Sequence, residues 1–385
     1  MKKTLFIMFV LILAVSLCFV ACKPEPVEPA EDGFIHVSTF SQLESAIAQA
    51  KNTEKKTVIL DKDLTWDSDA YPGTTSNDTV TQAHTFDLSG PSVTYKIAKA
   101  DKAFCPDVTG LTIDLNGHKI IGIPNIAFNL CGNSFTIKNG ELVAADGAKF
   151  VLCINYANST GLKDVALSRV PSAFDSSDTT GLWAKRIVID GVTVTGAGGF
   201  ISFSVVELKD SSFANPIERG LNLIGTTGTI SGCTITSEQA SNAALYIQNY
   251  CNLAFGAGNV TKGRVGTYFN TCSIVSIPAS GSLTAQTTGN GTSSNNYSYV
   301  VDKQAKLTVN GTLKIDNTNA NRPSVVDYGG MLVINNGASI VDKNGTTIAK
   351  GAEAINYITS NTGATDSGWA GYGSVGSVTD NRVLN

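Results

Sequence analysis

The side chains best suited to acid–base chemistry in this sequence are Lys209-Asp210 and Glu218-Arg219, with Asp190 preceding them. Proton abstraction beside a sugar carboxylate needs a base together with a cation, and glycoside hydrolysis needs two opposed carboxylates. The same side chains also describe a solvated charged loop, and that is the reading favoured here. The six arginines, Arg169, Arg186, Arg219, Arg264, Arg322 and Arg382, share no spacing that would gather them around an acidic ligand.

His36, His84 and His118 stand apart from one another and from any cysteine pair. A zinc or iron site needs closely spaced His and Cys ligands, so no metal and no other cofactor is expected. Asp175-Ser176-Ser177-Asp178 offers oxygens of the kind calcium binds, but without a complete ligand set it reads as an acidic loop. Cys105, Cys131, Cys153, Cys233, Cys251 and Cys272 form no CxxC pair, and most lie in or beside apolar segments such as Leu152-Cys153-Ile154. The favoured reading is a set of buried thiols acting as small apolar fillers, with one or two disulfides as the rival. No nucleophile elbow, phosphate-binding loop or nucleotide signature is present.

The start of the chain carries a different chemistry. Lys2 and Lys3 precede an apolar run from Leu5 to Val20, too short for a comfortable membrane span and laid out as a secretory signal. The run ends in Phe19-Val20-Ala21-Cys22, which resembles the lipobox of bacterial lipoproteins, with Phe19 where leucine is more usual. That resemblance implies cleavage between Ala21 and Cys22, lipid attachment at Cys22, and a signal peptide over 1–21. Residues 22–33 are rich in proline and acid and read as an extended tether, reaching up to ~30 Å at about 3.1 Å per residue. By the same resemblance, Lys23 after the cysteine implies the outer membrane, and the acidic stretch is similar to surface-export signals of some lipoproteins.

The elements that must position these residues are strands. Of 385 residues, 42% are hydrophobic and only 16% charged, so a large core is covered by Ser, Thr, Asn and Gly instead of ion pairs. This favours strands joined by many turns over helical bundles. A recurring phrase supports that view: Leu111-Thr112-Ile113-Asp114-Leu115-Asn116-Gly117, Phe135-Thr136-Ile137-Lys138-Asn139-Gly140, Ile187-Val188-Ile189-Asp190-Gly191 and Leu307-Thr308-Val309-Asn310-Gly311. Aligning Ile113, Ile137, Leu162, Ile189, Leu208, Ile230, Val309 and Ile334 gives steps of 24, 25, 27, 19, 22, 79 and 25 residues, the longest holding three or four coils. Steps of this size suit a solenoid whose surface turns tolerate insertions. A β-sandwich is the alternative and explains the recurring phrase less well.

One helix is legible, with Leu43, Ala46, Ile47 and Ala50 at helical spacing and a capping box from either Thr39 with Gln42 or Ser41 with Glu44. This helix, set between short strands in 34–65, resembles the N-terminal cap of pectate-lyase-like proteins. The resemblance implies an all-β fold: a right-handed parallel β-helix over 66–350 with an N-terminal capping helix, then a C-terminal cover or disordered tail over 351–385. Residues 66–103 are expected to form an irregular first coil with an inserted loop.

The catalytic motifs of that superfamily's enzymes are missing. The Arg-x-Pro-x-x-Arg pattern of pectate lyases is absent, Asn321-Arg322-Pro323 being a fragment, and the four polygalacturonase segments are absent too. Asn116-Gly117-His118-Lys119 superficially resembles one of them but reads as a structural turn.

The formal net charge of -4 gives nothing to hold nucleic acid, and no nucleic-acid partner is expected. The functional expectation is a non-catalytic binding or structural protein of the cell envelope, attached to the membrane by its lipid and contacting polysaccharide or host macromolecules. The rival is a polysaccharide lyase or glycoside hydrolase with an unrecognised site on a β-helix face, and a third reading is a passive spacer.

Overall fold

The computed structural model describes residues 30, 32–54, 56–74, 79–85, 92–98, 103–106, 108–130, 134–154, 157–158, 186–202, 204–239, 242–249, 251–288, 296–317, 324–326, 329–350, 357–358 and 376–384. Cys22, most of the tether, Cys131, Leu162, Arg169, the Asp175–Asp178 loop and Arg322 lie outside them.

The chain winds as a right-handed parallel β-helix whose laps stack three strand rows, here called the first, second and third sheets. One lap shows the plan: Val205–Lys209 belongs to the first sheet, Ser212–Asn215 to the second and Leu221–Ile224 to the third, before Thr227–Ser231 starts the next lap on top of Val205–Lys209. Strands pair in parallel with the same strand of the next lap in all three sheets. These parallel pairings exclude a sandwich of facing antiparallel sheets. Antiparallel pairing forms one small sheet, in which Thr79–Thr85 pairs with Ser92–Ala98 and Ala157–Asn158 adds to the latter. It occupies part of the stretch expected to hold an inserted loop.

The alternation of apolar and polar residues dictates which side chains turn inward. Val58, Ile113, Ile137, Ile189, Leu208, Ile230 and Phe255 follow one another by register along the first sheet. All are fully buried. The column continues through Ile277, Val309 and Ile334. Ile137 pairs directly with Ile189, so the expected coil at Leu162 does not stand between them. The long step from Ile230 to Val309 passes through Phe255 and Ile277, which makes it three laps.

Corners between the first and second sheets need a left-handed backbone. Asn139, Gly191, Asp210 and Gly232 occupy that corner in successive laps, with φ of 58°, 63°, 49° and 64°. Glycine adopts this conformation without penalty, and Asn and Asp tolerate it better than most residues.

The helix Phe40–Ala50 covers the first lap through Phe40, Leu43, Ala46, Ile47 and Ala50. Of the two capping boxes expected, the structure uses Thr39: its hydroxyl accepts from the Gln42 amide at 3.2 Å, while Gln42 Oε1 accepts from the Ser38 amide at 2.8 Å. At the far end Ser377–Asp380 pairs with Met331–Ile334. Arg382 is buried there, with Nη2 2.8 Å from Asp380 Oδ2 and Nη1 donating to the Ile348 carbonyl. A buried guanidinium is tolerable only with such pairing.

Candidate functional site on the third sheet

Of the charged residues singled out in the sequence, Lys209, Asp210, Glu218 and Arg219 share a lap but not a face, and Asp190 lies one lap earlier. Lys209 projects from the first sheet, 3.1 Å from Asp190 on the preceding lap and 3.6 Å from Glu207. Asp190 raises the Lys209 ammonium above its ordinary value. The pair extends a column in which Asp114 already bridges Lys138 at 3.1 Å, so charges alternate in sign from lap to lap: Asp114, Lys138, Asp190, Lys209. This alternation removes like-charge repulsion between stacked strands. Asp210 turns the corner, and Glu218 and Arg219 lie beyond the second sheet, at the entry to the third.

Asn215 holds that entry. Its Oδ1 accepts from the amides of Ile217 and Glu218, both at 3.0 Å, and its Nδ2 donates to the carbonyls of Arg219 and Lys149. Glu218 Oε1 lies 3.3 Å from Arg219 Nη1 and accepts from Asn242 Nδ2 at 2.7 Å. The guanidinium of Arg219 is 4.5 Å above the ring of Tyr246 on the next lap, a cation–π contact.

Tyr246 belongs to a row on the third sheet whose register runs Asn222, Tyr246, Tyr268 and Val300, the tyrosines half-buried and the two end residues buried. The two tyrosine rings tilt against each other with centroids 5.1 Å apart. Ala243, Val265 and Val300 form a small apolar patch beneath Tyr246, Tyr268 and Tyr297. Amides border the rings: Gln248 Nε2 donates to Asn222 Oδ1 at 3.0 Å, and Asn270 Nδ2 donates to the Tyr246 hydroxyl at 2.5 Å. The Tyr268 hydroxyl donates to Asp302.

The backbone beside this row is strained. Thr271 and Cys272 have φ of 41° and 58°, a left-handed conformation that is rare for a β-branched residue. Asn270 sustains it, because its Oδ1 accepts from the Thr271 amide at 2.7 Å and from the Thr271 hydroxyl at 3.0 Å. One side chain therefore fixes both the turn and the Tyr246 hydroxyl.

Chemically, the row offers ring faces, amides and one guanidinium on an apolar floor. Burial pushes the Tyr246 phenol up, against a smaller opposing pull from Arg219, so it is held protonated and suits hydrogen bonding better than proton abstraction. Glu218 is engaged by Arg219 and Asn242, and Asp302 by Tyr268.

Elsewhere, Asn116 and Gly117 form a left-handed turn, Asn116 Nδ2 donates to the Leu60 carbonyl, and Lys119 bridges Glu141 at 2.6 Å. The Asn116–Lys119 segment is a structural turn. His118 lies 3.4 Å from Asp63, while His36 contacts Asp61 and Asp32. Among the described residues no group of three His, Cys, Asp or Glu side chains is placed to hold a metal ion. Cys105, Cys153, Cys233, Cys251 and Cys272 are not in disulfides, and all but Cys105 are buried.

The tyrosine row was not found from the sequence. Tyr246 and Tyr268 align only when the turns between them are known, and the one available signal was an aromatic residue at the same place in two successive third-sheet strands.

Comparison with known protein families, with curated proteins and with solved structures finds no match for this chain.

Proposed function

We propose that this protein is an envelope lipoprotein, anchored through Cys22, that binds glycans non-catalytically on the outer face of its third sheet. The tether of residues 22–33 holds the β-helix away from the bilayer, and the outer membrane or cell surface is its place of work. The observation that carries this reading is the stack of Arg219, Tyr246 and Tyr268 on successive laps, flanked by Asn222, Gln248 and Asn270. Aromatic rings receive the apolar faces of sugars, amides pair with hydroxyls, and a rigid solenoid presents both without an ordering cost. Strain held beside a site is a recurrent mark of function, and the Thr271–Cys272 turn provides it.

Two assays test the proposal. The mature chain is screened on a glycan array and then incubated with plant, host and bacterial polysaccharides, with and without calcium. Saturable binding with no unsaturated or reducing-end products supports a binding protein. Turnover would replace it with the lyase or hydrolase reading, and silence in both assays would leave a spacer. For the anchor, Cys22→Ser releases the protein from the membrane fraction; retention would contradict lipid attachment.

A further inference from the structure

A second cleft lies on the first lap, under the capping helix, separate from the tyrosine row. It has a volume of about 380 Å³, with Ile47, Phe104 and Val108 as apolar lining and Lys51 and Cys105 at its borders. Tyr71 and Glu44 complete it, joined by a 2.6 Å hydrogen bond from the phenol to Glu44 Oε1. The rings of Tyr71 and Phe104 stand 5.3 Å apart at 55°, forming a corner. Trp66 and Phe40 brace that corner from behind, each within 6.3 Å of both rings.

We propose that this cleft binds a small zwitterion whose alkylammonium group sits in the Tyr71–Phe104 corner against Glu44 and whose anionic group faces Lys51, the chemistry of phosphocholine. Three features select this ligand over others. Aromatic faces and a carboxylate together attract an alkylammonium, whose methyl or methylene groups also bury well on an apolar lining. Among the described residues Glu44 Oε2 has no hydrogen-bond partner, which leaves an acceptor for the cation. A metal ion is disfavoured because one carboxylate is too few ligands. Lys51 repels a bare ammonium at the border and attracts one that carries an anion.

This chemistry has two sources, a free small molecule or a phospholipid headgroup. The test uses the full mature chain with Trp183→Phe and Trp369→Phe, so that Trp66 is the remaining indole, next to both cleft rings. Its fluorescence is titrated with choline, phosphocholine, glycerol phosphate, and vesicles of phosphatidylcholine. Expected is a saturable response to phosphocholine, a weaker one to choline and none to glycerol phosphate. Glu44→Gln and Phe104→Leu each weaken phosphocholine binding at least tenfold with the circular dichroism unchanged. Lys51→Ala weakens phosphocholine but leaves choline the same or tighter, a reversal that a merely structural role would not produce. Phosphocholine also slows alkylation of Cys105. A response to vesicles by the soluble Cys22→Ser chain assigns the headgroup as source, and a response to free phosphocholine alone assigns the small molecule. No saturation by either at millimolar concentration, or equal binding by the Glu44→Gln chain, overturns the proposal.

Discussion

Asp210 and Gly232 share the corner between the first and second sheets on successive laps, and a Cβ added to Gly232 would lie 2.2 Å from Asp210 Oδ1. The corner thus accepts a side chain on one lap because the next lap has none. Gly232→Ala carries both a left-handed backbone penalty of about 1 kcal/mol and this clash. In urea titrations the Asp210→Gly/Gly232→Ala double variant, compared with Asp210→Gly alone, is expected to recover the clash part and keep the backbone part. Gly228→Ala differs, because its Cβ would meet the Val206 carbonyl carbon at 2.8 Å and the backbone cannot yield. A loss of roughly 3 kcal/mol or more is expected there, with no side-chain rescue. Equal behaviour of the two glycines would contradict this geometry.

Ile137 and Ile189 are neighbours in the inward column, both fully buried. Ile189→Val should cost about 1 kcal/mol and Ile189→Ala about 3 kcal/mol, while Ile189→Asp should abolish folding because a buried charge has no partner there. Chemical denaturation measures the first two, and soluble yield the third. An Ile189→Asp chain with native stability would show that the column is wrongly placed.

The inward columns were legible in the sequence because the strand phrase repeats with β-branched residues at fixed positions around the Asn, Asp or Gly corner. Leu162 entered the expected column because it falls at a plausible step from Ile137, and spacing alone does not show which apolar residues stack on one another. The charged residues divide between faces for a related reason. Lys209, Asp210 and Glu218 are close in sequence, but the chain turns between them, so Lys209 pairs with Asp190 and Glu218 with Arg219. The tyrosine row was hidden because its members are separated by turns of unequal length.

His36 links the end of the tether to the cap. Its Nδ1 lies 2.7 Å from Asp61 and its Nε2 3.0 Å from Asp32; His118, on the following lap, faces Asp63. Hydrogen bonds to Asp61, then Asp32, raise the imidazole above its ordinary value of 6.5. A raised folded-state value means the stabilisation is fully present below the unfolded value and fades as pH rises through the folded one. Thermal melts should therefore show a pH-dependent stabilisation on the acid side of this window that His36→Gln removes. An unchanged pH profile in the variant would sink the assignment.

Burial pushes the Cys251 thiol up to about 12 and Cys233 to about 11, and Cys153 higher still. Thiolates are the reactive form, so these three should resist iodoacetamide in the native protein, whereas half-buried Cys105 reacts first. Peptide mass spectrometry before and after unfolding reads the order. Native labelling of Cys251 as fast as Cys105 would contradict the packing.

The most direct test of the binding face is calorimetric titration of an array-selected glycan into the mature chain and three variants. Tyr246→Ala and Tyr268→Ala should each weaken binding about tenfold, equivalent to about 1.4 kcal/mol, in chains whose circular dichroism at the titration temperature matches the parent. Asp190→Asn, on the first sheet, should bind as the parent does. Full affinity in both tyrosine variants, or a loss confined to Asp190→Asn, would place the ligand elsewhere and contradict the account.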